Sequence, residues 1–197
     1  MTGERSPEGA KPGASPVQLL GFLALQQTGD SAGYIGSAMV TDQRGYPLEF
    51  RVLTPVKPTP MQKILFGAGL ERYVGAELCG KQLVRGIQRK PRLFLVDRRE
   101  QLSLGMEFSQ VFLWLRRPGE QVAVRAAEEP RREEGRLEAA AGGFQAVVWE
   151  GVFDSENTKR DLLSLLSECS GNFDLMEAFK RMRAAVELLA KNDARYG

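Results

Sequence analysis

Two cysteines, a scatter of carboxylates and one dense run of basic residues are the groups in this chain that could do chemistry, and histidine is absent. Without imidazole there is no side chain that titrates unperturbed near neutrality, no Ser/His or Cys/His nucleophile pair, and no imidazole-ligated zinc. With Cys79 and Cys169 as the only thiols, an all-thiolate zinc site is excluded too. Cys79 has Glu77 and Lys81 two residues away on either side, yet at roughly 100° per helical residue both project about 160° away from it. A thiol on the apolar stripe of a helix has a raised pKa and little reactivity. Both cysteines are therefore assigned to the core.

Four carboxylates, Glu49, Glu77, Asp97 and Glu107, could in principle gather as general acid and base or hold magnesium. No two of them share a recognised catalytic or metal spacing. Glu77 is explained by an i,i+4 pair with Lys81, and Glu49 by the wet face of an edge strand. The glycines of FGAGLE supply GxG alone, without the remainder of a phosphate-binding loop. No catalytic, metal-ligating or cofactor-binding residue is assigned, and no cofactor.

The densest charge lies in KQLVRGIQRKPRLFLVDRR, residues 81 to 99. It sets Lys81, Arg85, Arg89, Lys90, Arg92, Arg98 and Arg99 against Asp97, 7 − 1 = +6, in a chain whose formal net charge is +2. Such a face suits a phosphate backbone or an acidic protein. A solvated helix face balanced by the acidic residues further along accounts for it equally simply. These seven residues, with Lys57 on a proline-stiffened segment, are the candidate partner-binding set.

The elements that must position these groups follow from hydrophobic periodicity. VQLLGFLALQQ reads as a buried strand and GYIGSAMVTD as a second, whose Gly36, Ser37 and Ala38 admit close approach of a helix. DQRG makes a hairpin turn, with Asp42 bonding the local backbone and Gly45 left-handed. In PLEFRVL, Leu48, Phe50 and Val52 alternate with Glu49, Arg51 and Leu53. Pro55, Pro58 and Pro60 end that strand, keep the exit extended, and place Pro60 in the first turn of a helix. This helix carries Ala76, Cys79, Gly80, Leu83 and Ile87 on one stripe and starts irregularly at Gly67 and Gly69. RLFLVD, VFLWLRR and FQAVVWEGVF read as three more strands. Two helices finish the chain, the first capped at Asp154 or Ser155 with Leu162, Leu165, Leu166 and Cys169 on one face, the second with Leu175, Phe179, Met182, Val186 and Leu189 in an a/d seam.

The expected fold is α+β, a mostly antiparallel sheet of five or six strands covered by a long central helix and two C-terminal helices. Residues 17–191 form the domain, between a disordered tail at 1–16 and a short tail at 192–197, with a charged flexible insertion at 118–143. This succession of elements, together with the GYIGSAMVTDQRGYPLEF hairpin, resembles the roadblock and longin group of small sheet-and-helix domains. That resemblance implies self-association, or docking of small GTPases and of trafficking or motility partners. The block GYPLEFRVLTPVKPTPMQKILFG is also similar to uncharacterised bacterial proteins, with no activity implied.

With 43% hydrophobic residues the chain can bury a substantial core. It contains no apolar run of membrane-spanning length, and its few cysteines fit a reducing, cytoplasmic setting. The reading that follows is a non-catalytic interaction or scaffold module, whose partner is a protein or a second copy. A nucleic-acid-associated accessory protein using the basic face is the alternative, and a carboxylate-dependent enzyme is the next.

Overall fold

The structure, a computed structural model, describes residues 18–29, 33–120, 132–138 and 144–196. Three strands, β1 (Leu20–Gln27), β2 (Tyr34–Thr41) and β3 (Pro47–Val52), form an antiparallel meander. Its hairpin turn is built as the sequence dictates. The Asp42 carboxylate accepts from the N–H groups of Arg44 and Tyr46, both at 2.9 Å, and Gly45 sits at φ +77°. The proline exit pairs once more, through mutual backbone bonds between Val56 and Tyr34. It then enters α1 (Pro60–Phe66) through a capping box in which Thr59 and Gln62 satisfy each other's backbone N–H, with Pro60 in the first turn.

The chain continues through a 3₁₀ turn (Gly67–Gly69), α2 (Leu70–Arg72), a π-helical stretch (Tyr73–Gly80) and α3 (Lys81–Gly86). The π-helical widening coincides with the small residues of the stripe. Gly75, Ala76, Cys79 and Gly80 are buried there, and a Cβ built on Gly36 of β2 would lie 2.6 Å from Cys79 Cβ. Glycine at 36 is what lets this helix lie directly on the sheet.

Next come β4 (Leu93–Val96), a 3₁₀ helix (Arg99–Met106), β5 (Val111–Arg116), β6 (Glu133–Leu137) and β7 (Val147–Gly151), then α4 (Glu156–Asn172) and α5 (Leu175–Asn192). The sheet order is β3-β2-β1-β4-β5-β7-β6, with β1, β4 and β5 parallel and the other neighbours antiparallel. The fold is α+β, as expected, but the sheet has seven strands and is mixed. β4 and β5 return parallel to β1 because the helix at 60–86 and the 3₁₀ helix act as crossovers instead of reversing the chain. The seventh strand, β6, lies inside the charged segment 118–143. Its Glu133, Glu134 and Arg136 sit on an edge strand, where charge at the rim is tolerated and deters further pairing. Residues 121–131 and 139–143 of that segment, and the tail 1–16, lie outside the described residues.

Both faces of the sheet are covered, so β1 reads as an almost unbroken apolar run. Leu20, Phe22 and Ala24 pack with Leu162, Leu166, Phe179 and Met182 of α4 and α5, and the Phe22 and Phe179 rings meet edge-on at 5.5 Å. Leu23 and Leu25 face Val74, Ala76, Cys79 and Leu83 instead. Each such fully buried side chain contributes about 1.5–3 kcal/mol. Leu175, Phe179 and Met182 of the α5 a/d seam belong to this core, Val186 is buried as well, and Leu189 is half-buried.

Candidate functional site

In open sheets with parallel central strands, ligands approach the crevice outside the carboxyl ends of those strands. The carboxyl end of β4 carries Asp97, Arg98 and Arg99 in succession. Asp97 turns inward: its carboxylate accepts from Leu25 N–H at 3.1 Å and from Arg183 Nη2 of α5 at 2.9 Å, and its side chain is 2% exposed. Burial pushes this carboxyl above its ordinary pKa, and the bonds from Arg183 and Leu25 N–H and the charges of Arg98 and Arg183 oppose that shift. Arg98 reaches back to the Leu25 carbonyl. Gln101, fully buried in the first turn of the 3₁₀ helix, has no hydrogen-bond partner for either amide atom among the described residues.

Arg99 leaves this cluster in another direction, over β5 toward β7. Its Nε donates to both oxygens of Glu150, at 2.9 and 3.0 Å, and Arg132, just before β6, donates to the same carboxylate at 3.2 Å. Glu150 is 6% exposed. A buried carboxylate thus fixes two guanidiniums whose planar donors suit phosphate and carboxylate groups. They border a cavity of about 570 Å³ between the 3₁₀ helix and the β5–β7 edge of the sheet, with Arg72 at its rim. Phe108, Phe112 and Phe153 supply its apolar wall, and the Arg85 guanidinium lies 5.8 Å from the centre of the Phe108 ring.

The basic run at 81–99 is therefore divided between the two ends of β4. At the amino end, Arg89 and Arg92 are exposed, while Lys90 Nζ donates to the Val84 and Arg85 carbonyls and closes α3. At the carboxyl end are Arg98 and Arg99. Lys81 is drawn between Glu77 and Glu107, and these bonds raise its pKa. Lys57 is exposed beside Gly33. The four carboxylates do not converge. Two share Lys81, Asp97 is held as described, and Glu49 accepts from Arg51 and from the Gln88 and Arg89 N–H groups. Among the described residues, no group of three or more His, Cys, Asp or Glu side chains could hold a metal. Cys79 and Cys169 lie in the core, their thiols pushed by burial up to about 11 and about 12.

Arg72, Arg132 and Phe153 carry no periodicity that marks them as neighbours: the antiparallel pairing of β6 with β7 sets Arg132 close to Phe153, and the crossover helices bring Arg72 to the same cavity. Glu150 did carry a signal: a lone carboxylate in VVWEG, an otherwise apolar strand, needs a buried cation beside it.

No protein-family model and no curated protein matches the chain. Its fold, in contrast, has clear counterparts. Endonuclease V from Bacillus subtilis superposes with a TM-score of 0.55 over 89% of this chain and 84% of that one, at 10% identity. Weaker likenesses are to endonuclease V of Ciona intestinalis in complex with a 23mer DNA containing an inosine (TM-score 0.37, 15% identity, 51% and 46% of the two chains) and to Argonaute of Marinitoga piezophila in complex with guide RNA (0.39, 10%, 75% and 25%). The fold is thus that of the Bacillus endonuclease. This likeness overturns the resemblance to roadblock and longin domains, and with it the reading as a non-catalytic scaffold, a reading drawn chiefly from the missing histidine, metal set, phosphate loop and nucleophile. Element succession misled because it does not distinguish a chain that reverses after β3 from one that crosses over to run parallel with β1.

Proposed function

We propose that this is a nucleic-acid-associated protein whose contact surface is the arginine-bearing flank of the 3₁₀ helix, with residues 17–191 as the working unit. The observation that carries the proposal is the pair Arg99 and Arg132, held in place by the buried Glu150, beside the exposed Arg72 and Arg85. Guanidiniums so anchored lose little freedom on meeting phosphate oxygens. The fold likeness to a protein named as an endonuclease supports the same reading. Asp97 enters as a structural group, since Leu25 N–H and Arg183 already occupy its oxygens. Both cysteines are free thiols, and among the described residues no helix is long and apolar enough to cross a membrane. The proposed setting is the cytoplasm.

The test is fluorescence anisotropy with single-stranded and duplex DNA and RNA across a salt series. If four arginines each meet a phosphate on a single strand, affinity falls by about 50-fold between about 50 and about 200 mM salt. The double variant R72E/R85E, on the cavity side, loses binding by about tenfold or more. The pair R89E/R92E, outside the cavity lining, loses less. Absent or salt-insensitive binding refutes the proposal, and a larger loss in the second pair places the interface elsewhere. Light scattering on the same samples reads whether two copies associate.

A further inference from the structure

The cavity beside the 3₁₀ helix is lined by two chemically distinct sets of side chains. Arg99 and Arg132 form one, positioned by Glu150 from beneath, with Arg72 at the rim. The lining residues set these three arginines against Glu100 and Asp154, 3 − 2 = +1. The other set is apolar and reaches the surface, where Met106 is 76% exposed and Val152, one residue beyond the Gly151–Glu133 pair and so beside Arg132, 46%. Large side chains left in water at the mouth of a well-formed cavity mark a place where an apolar surface is to be covered. A volume of about 570 Å³ is that of a pocket for one small ligand, since such pockets span about 300–1,000 Å³. Ser103, Ser109 and Gln110 add both donors and acceptors to the lining.

A ligand that satisfies all of this carries an anionic group, a flat apolar face and hydrogen-bonding edges. Resting on the nucleic-acid reading above, we infer that the cavity takes one nucleoside monophosphate unit, its phosphate on Arg99, Arg132 and Arg72 and its base against Met106, Val152 and Phe153. A free nucleotide and an unpaired nucleotide of a single strand present the same chemistry to these walls. Paired bases stacked in a duplex do not, because their faces are covered by their neighbours.

The experiment uses the full chain with adenosine 5′-monophosphate, adenosine, inorganic phosphate and a labelled single-stranded oligonucleotide. Calorimetry is expected to show the monophosphate bound at least about tenfold more tightly than adenosine or phosphate alone, because a charged hydrogen bond and an apolar contact each contribute that much or more. The monophosphate competes with the oligonucleotide, and M106D and V152D, both exposed positions, weaken the two ligands in parallel by about tenfold. If the oligonucleotide binds with the predicted salt dependence but the monophosphate does not compete and neither variant matters, the inference is overturned while the nucleic-acid reading stands. If the monophosphate binds and the oligonucleotide does not, the ligand is the free nucleotide and the nucleic-acid reading is overturned. If neither binds, both are.

Discussion

Replacing Arg183 by methionine tests how the carboxyl end of β4 is held. Arg183 donates to Asp97 at 2.9 Å, and the Asp97 side chain is 2% exposed. Removing one partner of a fully buried pair costs about 3–5 kcal/mol, because a charge is left uncompensated in low dielectric. Here the arginine side chain is itself 43% exposed, so water reaches the gap it would leave, and the expected loss at neutral pH is about 2 kcal/mol. The sign of its pH dependence follows from the raised pKa of Asp97. A carboxyl whose folded pKa lies above its unfolded value holds its proton longer in the native state. Stability is then greatest below the unfolded value of about 4 and declines as pH rises to the folded value. Losing Arg183 moves the folded value higher and widens that window. Urea denaturation of the wild type and of R183M should therefore differ by about 2 kcal/mol near pH 7 and converge toward pH 4, as Asp97 takes up its proton. In a D97N background the Arg183 substitution should matter much less. A penalty that is the same at both pH values, or one that persists in full when D97N is already present, refutes the account.

Two further outcomes follow from the packing. Gly45→Ala places a Cβ at φ +77° and 2.7 Å from the Phe173 ring, and should destabilise by about 2–4 kcal/mol in urea melts, from left-handed strain plus overpacking. A loss under about 0.5 kcal/mol, the size of an ordinary surface change, would show that this turn gives way easily. The thiols of Cys79 and Cys169, raised by burial to about 11 and about 12, should react with a disulfide reagent at mildly alkaline pH only at the rate of unfolding, and both at once in denaturant. Rapid labelling of either in the native protein would place it outside the core.

Much of the local structure was legible because it is set by neighbours in sequence. The DQRG turn, the helix entry at Pro60, the helix start at Ser155 and the apolar stripes of the helices at 73–86, 156–172 and 175–192 lie where periodicity and turn chemistry put them. The 3₁₀ helix at 99–106 was not legible, because REQLSLGM has no apolar period long enough to announce an element. Nor was β6, because Glu133–Leu137 pairs as an edge strand through backbone bonds that charged side chains neither require nor forbid.

The site divides along the same line. Sequence alone determined the chemical inventory: no histidine, two inert thiols, many arginines and carboxylates without a shared spacing. Tertiary structure decided which of these meet. The run at 81–99 looks like one basic face when written as a string, but a strand about 13 Å long at about 3.3 Å per residue separates its ends. Arg132 and Glu150, distant from Arg99 in sequence, come within hydrogen-bonding distance of one another because β4, β5 and β7 are neighbours in the sheet. Strand order is set by long-range packing of two faces and by the crossovers between them, and a local pattern along the chain carries almost no record of either.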